Sequence, residues 1–280
     1  MTNTSNNLLW VLILFMTLIS VTACESGKHG SIELRIMSFN IAAGYGNVND
    51  IAEAIEKYNP DIVALQEVDV HWSERSDFQD QVLFLEAKLD MNSFFGEIYT
   101  YENDTGNDPP RQFGLAFLSK PAITHQKNHS LSRLSTQSEE AGIQLLPGFP
   151  EIVIEIDNTR IHLFNTHLDY RQDPSVRVAQ IEEMMEIMKA AEGPVVLAGD
   201  LNARPEADEL RPLFDLLKDV WEYKKDDPGF TFPSDQPDRR IDYILHSGHF
   251  EVSDAFTADT DASDHLPVVV DLLLLRHHRE

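Results

Sequence analysis

Short apolar runs that each stop at an acid, an amide or an imidazole constrain this chain more than any other feature. Val195-Val196-Leu197-Ala198 leads through Gly199 into Asp200, with Asn202 two residues further on. Ile36-Met37-Ser38-Phe39 leads into Asn40, and Ile62-Val63-Ala64-Leu65 leads through Gln66 into Glu67. Ile161-His162-Leu163-Phe164 leads through Asn165-Thr166 into His167, while Ser263-Asp264-His265 stands just ahead of Pro267-Val268-Val269-Val270. Apolar runs of this length, bounded by turn residues, read as buried strands. A polar group at the end of such a strand has the rigid support that chemistry needs. One such cluster is an ordinary strand-end turn; the recurrence points to a site. Asp242 lies inside another strand-like stretch, Arg239-Arg240-Ile241-Asp242-Tyr243-Ile244-Leu245. A buried carboxylate is costly unless paired, so it calls for a dedicated partner. Asp264 beside His265 suggests a carboxylate that sets an imidazole's tautomer and basicity.

Between these runs the pattern alternates. Asn49-Asp50 followed by Ile51, Ala54, Ile55 and Tyr58 predicts an N-capped amphipathic helix that Pro60 ends. Residues 113–118 form a strand, and residues 151–156 and 160–164 a hairpin around Asp157-Asn158-Thr159. Val178, Ile181, Met185 and Met188 repeat at helical spacing as core packing, with Gly193 as the stop. A second helix after Pro205 buries Leu210, Leu213, Phe214 and Leu217. Residues 99–112 read as a loop, and residues 125–149, which include Arg133, as a second irregular stretch. The alternation predicts an α/β four-layer sandwich of two packed mixed β-sheets flanked by helices, with the polar strand ends at one rim.

On Met37-Ser38-Phe39-Asn40, Leu65-Gln66-Glu67-Val68, Asn165-Thr166-His167-Leu168, Gly199-Asp200-Leu201-Asn202, Arg240-Ile241-Asp242-Tyr243 and Ser263-Asp264-His265, the chain resembles the endonuclease/exonuclease/phosphatase superfamily. This superfamily includes deoxyribonucleases, neutral sphingomyelinases and inositol-polyphosphate 5-phosphatases, and the resemblance runs from about Ile32 to Leu274. It implies a metal site at Glu67 with Asn40 beside it and Asp264 as a further ligand. Catalytic roles fall to His167, Asp200, Asn202, Asp242, Asp264 and His265. Asp200 orients or deprotonates the attacking water, Asn202 and His167 donate to phosphate oxygens, and His265 contacts the phosphate or transfers a proton. Asp264 or Asp242 holds an imidazole in place. The implied cofactor is Mg²⁺, with Mn²⁺ as the alternative; one or two carboxylates plus water and substrate oxygens suffice to hold Mg²⁺. No His-Glu-x-x-His run or cysteine cluster marks a zinc site. Arg111, Arg171 and Arg239 are candidates to grip a second phosphate or an anionic head group. Abasic-site endonucleases carry an acid two residues after the first asparagine, where this chain has Ala42, so repair of abasic DNA is disfavoured.

Residues 8–23 are apolar and end in Val21-Thr22-Ala23-Cys24, which resembles a bacterial lipoprotein signal. The run is short for a spanning helix, which needs roughly 20 apolar residues. The expected organisation is a signal peptide over 1–23, a lipidated tether at Cys24 over 24–31, one phosphoesterase domain over 32–275, and a polar tail over 276–280. Cys24 is the only cysteine among 280 residues, so no intramolecular disulfide forms. The expected protein is a monomer, exported and anchored to the bacterial cell envelope by its lipid. Its net charge of −25 disfavours nucleic acid as a partner, because non-specific binding needs Lys and Arg to neutralise phosphates. The expected activity is metal-dependent hydrolysis of phosphodiester or phosphomonoester bonds in small or lipid-linked substrates at a membrane surface. The alternatives are an exported nuclease that cleaves DNA or RNA, and a non-catalytic binding module on the same scaffold.

Overall fold

The computed structural model describes residues 32–44, 47–102, 109–138, 142–224 and 226–275. The expected signal peptide, the Cys24 tether and the 276–280 tail lie outside the described residues. In chain order the strands are β1 (Ile32–Asn40), β2 (Ile62–Val70), β3 (Asn92–Tyr101), β4 (Arg111–Ser119), β5 (Ile123–Leu134) and β6 (Ile143–Ile156). They continue with β7 (Thr159–His167), β8 (Val195–Asp200), β9 (Lys218–Asp219), β10 (Asp242–His246), β11 (Phe250–Thr257) and β12 (Val268–Leu274). Among the described residues four α-helices accompany them: α1 (Val48–Tyr58), α2 (Gln81–Leu89), α3 (Ser175–Lys189) and α4 (Arg211–Leu216).

The strands make two six-stranded sheets, in the orders β11-β12-β1-β2-β4-β3 and β5-β6-β7-β8-β10-β9. Each sheet is mixed, with one parallel pair at its heart: β1–β2, joined through α1, and β7–β8, joined through α3. Burial gives the layers. Leu34, Ile36, Ile62 and Phe117 of the first sheet pack with Ile152, Leu163, Val196 and Ile244 of the second. On the first sheet's other face, Met37, Phe39 and Leu65 meet Ile51 and Ile55 of α1 and Leu85 of α2. On the second sheet's other face, Phe164, Leu197 and Leu245 meet Ile181 and Met184 of α3 and Leu213 of α4. Strands buried on both faces read as continuous apolar runs, the pattern of residues 62–65 and 195–198. The fold is the four-layer α/β sandwich.

Local differences from the sequence reading have physical causes. Helix α1 starts at Val48, capped by Asn47, whose side chain accepts from the Asn49 amide; Asn59 in the left-handed region ends it before Pro60. On α3 the buried face is Val176, Arg177, Gln180, Ile181, Met184 and Met188, while Val178 is exposed. Two polar anchors rotate it: Gln180 accepts from the Asp169 amide, and Arg177 donates to the carbonyls of Asp169 and Arg171. The described residues of 125–149 are largely regular. They lie largely in β5 and β6, which pair as a long ribbon with β-bulges. Strand β5 is a sheet edge with an exposed face, so its polar run 125–130 carries little hydrophobic signal. Likewise Tyr99–Tyr101 and Arg111–Gln112 belong to β3 and β4.

Candidate active site

The carboxyl ends of both parallel pairs meet at one rim. His167 lies opposite Asp200 across β7–β8, and Asp242 lies opposite Asp200 across β10–β8, so three chemical groups share one level of the second sheet. Gly199 makes this approach feasible: its φ is +151°, and a Cβ there would sit 2.1 Å from the Thr166 carbonyl oxygen.

The first sheet supplies Asn40 and Glu67, and Glu67 is aimed by a bulge. Val63, Leu65, Val68 and Val70 all face the outer core, so side-chain parity changes between Leu65 and Val68, where the pairing with β4 also shifts. Glu67 is the residue that absorbs the change, at φ 56°. A glutamate in the left-handed region is strained, and such strain gathers at functional sites. The bulge frees backbone groups near Leu65, and an amide from the other sheet takes them up. Asn165 Nδ2 donates to the Leu65 and Ala116 carbonyls at 2.9 and 3.0 Å, and its Oδ1 accepts from Gln66 Nε2 at 2.7 Å.

At the centre, Asn40 Nδ2 donates to Glu67 Oε1 at 3.2 Å and to Asp200 Oδ2 at 3.1 Å, while its Oδ1 accepts from the Ala42 amide. His167 Nε2 stands 3.5 Å from Asp200 Oδ2 and 4.0 Å from Glu67 Oε1. The Asn202 amide donates to Asp200 Oδ1 at 2.8 Å, and its side chain donates to the Leu168 carbonyl. His265 Nδ1 bonds Asp242 Oδ2 at 2.9 Å, and its Nε2 lies 3.9 Å from Asp200 Oδ2. Of the two acids that sequence offered as the imidazole's holder, Asp242 is the one bonded to it. Asp264 is half-buried on the cavity wall and takes a long bond from Ser263 Oγ.

Electrostatics divide the proton roles. Burial, reinforced by the Asp242 charge, pushes Asp200 up to about 6 against the opposing pull of His167, His265 and the Asn202 amide. Burial works against charge on His265, but Asp242, then Asp200 and Asp264, overcome it and hold the imidazole up at about 10. At neutral pH His265 is therefore an imidazolium, a hydrogen-bond donor to anything placed before Nε2, and Asp200 is the group poised to accept a proton. Burial, with the Glu67 charge, also raises Asp264 despite the opposing charge of His265.

Two acid sets bear on a metal. Asp200, Asp242 and His265 bring one ligand atom each to within 4.8 Å. That set suits protons better than a cation, because His265 Nδ1 and Asp242 Oδ2 are committed to each other. Glu67 and Asp264 both line the cavity, and among the described residues neither pairs with a Lys or Arg. Two hard carboxylates open to water fit Mg²⁺. Asn40 sits beside them and, as oriented, braces Glu67 against Asp200 with its donor side.

These side chains border a cavity of about 370 Å³, lined by Glu67, His167, Asp200, Asn202, Asp264 and His265, with Tyr99, Phe113, Arg75 and Arg133 on its walls. The arginines singled out from sequence stand outside that lining. Arg111 lies over the Tyr101 ring in a neighbouring groove, Arg171 pairs with Asp169, and Arg239 pairs with Asp238 and lies over Phe232. Arg75 and Arg133 are the ones that reach the cavity. Arg75 is held bidentately by buried Asp69. Arg133 was readable in part, because Leu131 and Arg133 alternate inward on β5; the polar run ahead of them masked that period.

No curated protein matches the chain by sequence. Solved structures do match in fold. An endonuclease/exonuclease/phosphatase from Beutenbergia cavernae is similar at TM-score 0.67 and 22% identity, over 87% of this chain and 72% of its own. The human Nocturnin catalytic domain with bound sulfate is similar at 0.64 and 22%, over 86% and 93%. Truncated Caenorhabditis elegans TDP2 is similar at 0.61 and 21%, over 86% and 98%. Residues 37–265, from the first polar-ended strand to His265, match the sequence profile of one family, whose enzymes are generally phosphodiester hydrolases and typically depend on a divalent metal. This chain belongs to the endonuclease/exonuclease/phosphatase family.

Proposed function

We propose that this chain is a Mg²⁺-dependent phosphoesterase acting on small or lipid-linked phosphate esters, with Mn²⁺ as an alternative metal. The observation that carries the reading is buried Asp200, poised near neutrality between two imidazoles and facing a cavity in which Glu67 and Asp264, among the described residues, pair with no Lys or Arg. Hydrolysis of a phosphate ester needs an in-line water, a base for its proton, and stabilisation of charge on the phosphoryl oxygens. Asp200 orients the water and takes its proton as the new P–O bond forms and the ester bond breaks. The His265 imidazolium, His167 and the free hydrogen of the Asn202 amide donate to the phosphoryl oxygens, where one donor is typically worth about 3–4 kcal/mol of barrier. The metal, held by Glu67 and Asp264 beside Asn40, would supply further charge neutralisation. The net charge of −25 and the sequence around Cys24 support a small or lipid-linked substrate met at a membrane over nucleic acid. One observation favours the nuclease reading: Trp72, Tyr101 and Arg111 line a groove that shares Gln137 with the cavity, and aromatic rings with an arginine are the kind of platform that takes stacked bases.

The test is turnover by the purified protein, with and without EDTA, on bis(p-nitrophenyl) phosphate, p-nitrophenyl phosphate, plasmid DNA and lipid-phosphate vesicles. Metal-dependent turnover that Asp200→Asn lowers by about 10²–10⁴-fold is expected. Preferred cleavage of DNA would move the assignment to a nuclease, and turnover that survives Asp200→Asn would remove Asp200 from the mechanism.

A further inference from the structure

Arg133 is 7% exposed, yet no carboxylate pairs with it among the described residues. A buried cation is expensive unless an anion compensates it. Nη1 donates to the His167 carbonyl at 3.0 Å and Nη2 to the Gly148 carbonyl at 2.8 Å, while buried Nε has no partner. Guanidinium has five N–H donors, so two bonds to neutral carbonyls leave both its capacity and its charge unmet. The acids nearest in electrostatic influence are already engaged: Asp169 with Arg171, and Glu183 with the amide and hydroxyl of Ser132. Burial pulls the guanidinium down to about 10, which leaves it charged at neutral pH. The same side chain lines the cavity that holds Asp200 and His265, beside Tyr99, Thr136 and Gln137. The Tyr99 hydroxyl is fixed there by the Thr136 amide at 2.9 Å.

We propose that Arg133 forms a second oxyanion subsite in the catalytic cavity, so that the substrate is a small phosphate ester carrying a second phosphate close to the scissile one. The inference rests on the phosphoesterase reading of the same cavity and narrows its substrate class. The bond from Arg133 to the His167 backbone ties the guanidinium to the strand end whose imidazole faces Asp200. A planar fork meets phosphate oxygens bidentately, and Tyr99 and Gln137 supply neutral partners beside it. A net charge of −25 repels a more highly charged ligand at long range, so preference for one requires a local cation of this kind.

The experiment is equilibrium binding by calorimetry to the full chain in EDTA, which suppresses turnover, with fructose 6-phosphate and fructose 1,6-bisphosphate as probes. The wild-type protein is expected to bind the bisphosphate at least about 10-fold more tightly, as a charge-assisted bidentate contact implies. Arg133→Met brings the two affinities within about 2-fold, and Arg133→Lys, which keeps the charge and loses the fork, falls between. Equal wild-type affinities overturn the proposal, and so does a preference that Arg133→Met leaves intact. If Arg133→Met does not fold, Arg133→Lys decides: an unchanged ratio overturns the subsite, and a reduced one supports it. Turnover of bis(p-nitrophenyl) phosphate, which has no second anion, is measured separately. A chain that hydrolyses this ester without preferring the bisphosphate loses the subsite and keeps its activity; one that prefers the bisphosphate and hydrolyses nothing loses the activity and keeps the subsite.

Discussion

At the scale of single residues, the decisive pairing is between positions 23 apart. Asp264 adjoins His265 in the chain, but Asp242 holds the ring, because a strand start and a distant loop converge where neighbours along the chain point apart. Sequence placed both acids near the site and left open which one holds the imidazole; only packing decides between them. The Asp242 carboxylate bonds His265 through Oδ2, while its buried Oδ1 has no partner among the described residues. Asp242→Asn keeps the shape and removes the charge that keeps the ring protonated. Its kcat is expected to fall by about 10²–10⁴-fold with little change in KM, the mark of an interaction made in the transition state. A change confined to KM would assign Asp242 to substrate binding. Gly199→Ala tests position instead: the new methyl collides with the Thr166 carbonyl, and a loss of about 1–3 kcal/mol in urea unfolding is expected, with Asp200 displaced.

At the scale of elements, the strands legible in advance were those buried on both faces, such as β2 and β8. The edge strands β3 and β5 were hidden, since a half-exposed edge needs few apolar residues. What stitches β5 to its neighbours is partly polar. Glu151 of β6 accepts from His129 of β5 at 2.8 Å and from His162 of β7 at 2.7 Å. Burial raises the Glu151 carboxyl, but the two imidazoles outweigh it and set it below the ordinary carboxylate range. Because the folded value lies below the unfolded one of about 4.3, the stabilisation is complete above that pH. It is lost as pH falls through the folded value. Glu151→Gln is therefore expected to cost about 3 kcal/mol at pH 7, with the difference from wild type shrinking on acidification below about 4. Urea unfolding at pH 7 and pH 3 checks this; a constant difference would mean that Glu151 acts through packing alone.

At the scale of the whole molecule, the site belongs to neither sheet. The first supplies Asn40 and Glu67, the second His167, Asp200 and Asp242, and Asn40 touches both sets. The amides Gln66 and Asn165, visible in sequence only as parts of polar strand ends, join the sheets beneath it. Asn165→Ala takes a side-chain donor from two buried carbonyls and the nearest acceptor from Gln66 Nε2, and is expected to cost about 3 kcal/mol, with kcat falling because the Glu67 bulge loses its brace. Normal activity in a destabilised Asn165→Ala protein would separate the brace from catalysis. Metal removal acts differently, since the sandwich core is independent of the cleft. EDTA is expected to abolish turnover and leave the fold intact, and Mg²⁺ at ten times its Kd to stabilise by about 1.4 kcal/mol, read as a rise of a few degrees in Tm.

The bulge in β2 is closed by an amide grown on β7, so the two halves of the chain are matched parts. A chimera that takes residues 32–119 from one relative and the remainder from another inherits a bulge from one parent and its closure from the other. Such recombinants can fold through their apolar faces and still misplace Glu67. The smallest exchangeable unit is β2 and β7 together, although 88 residues, counting from Val70 to Thr159 exclusive, separate them along the chain.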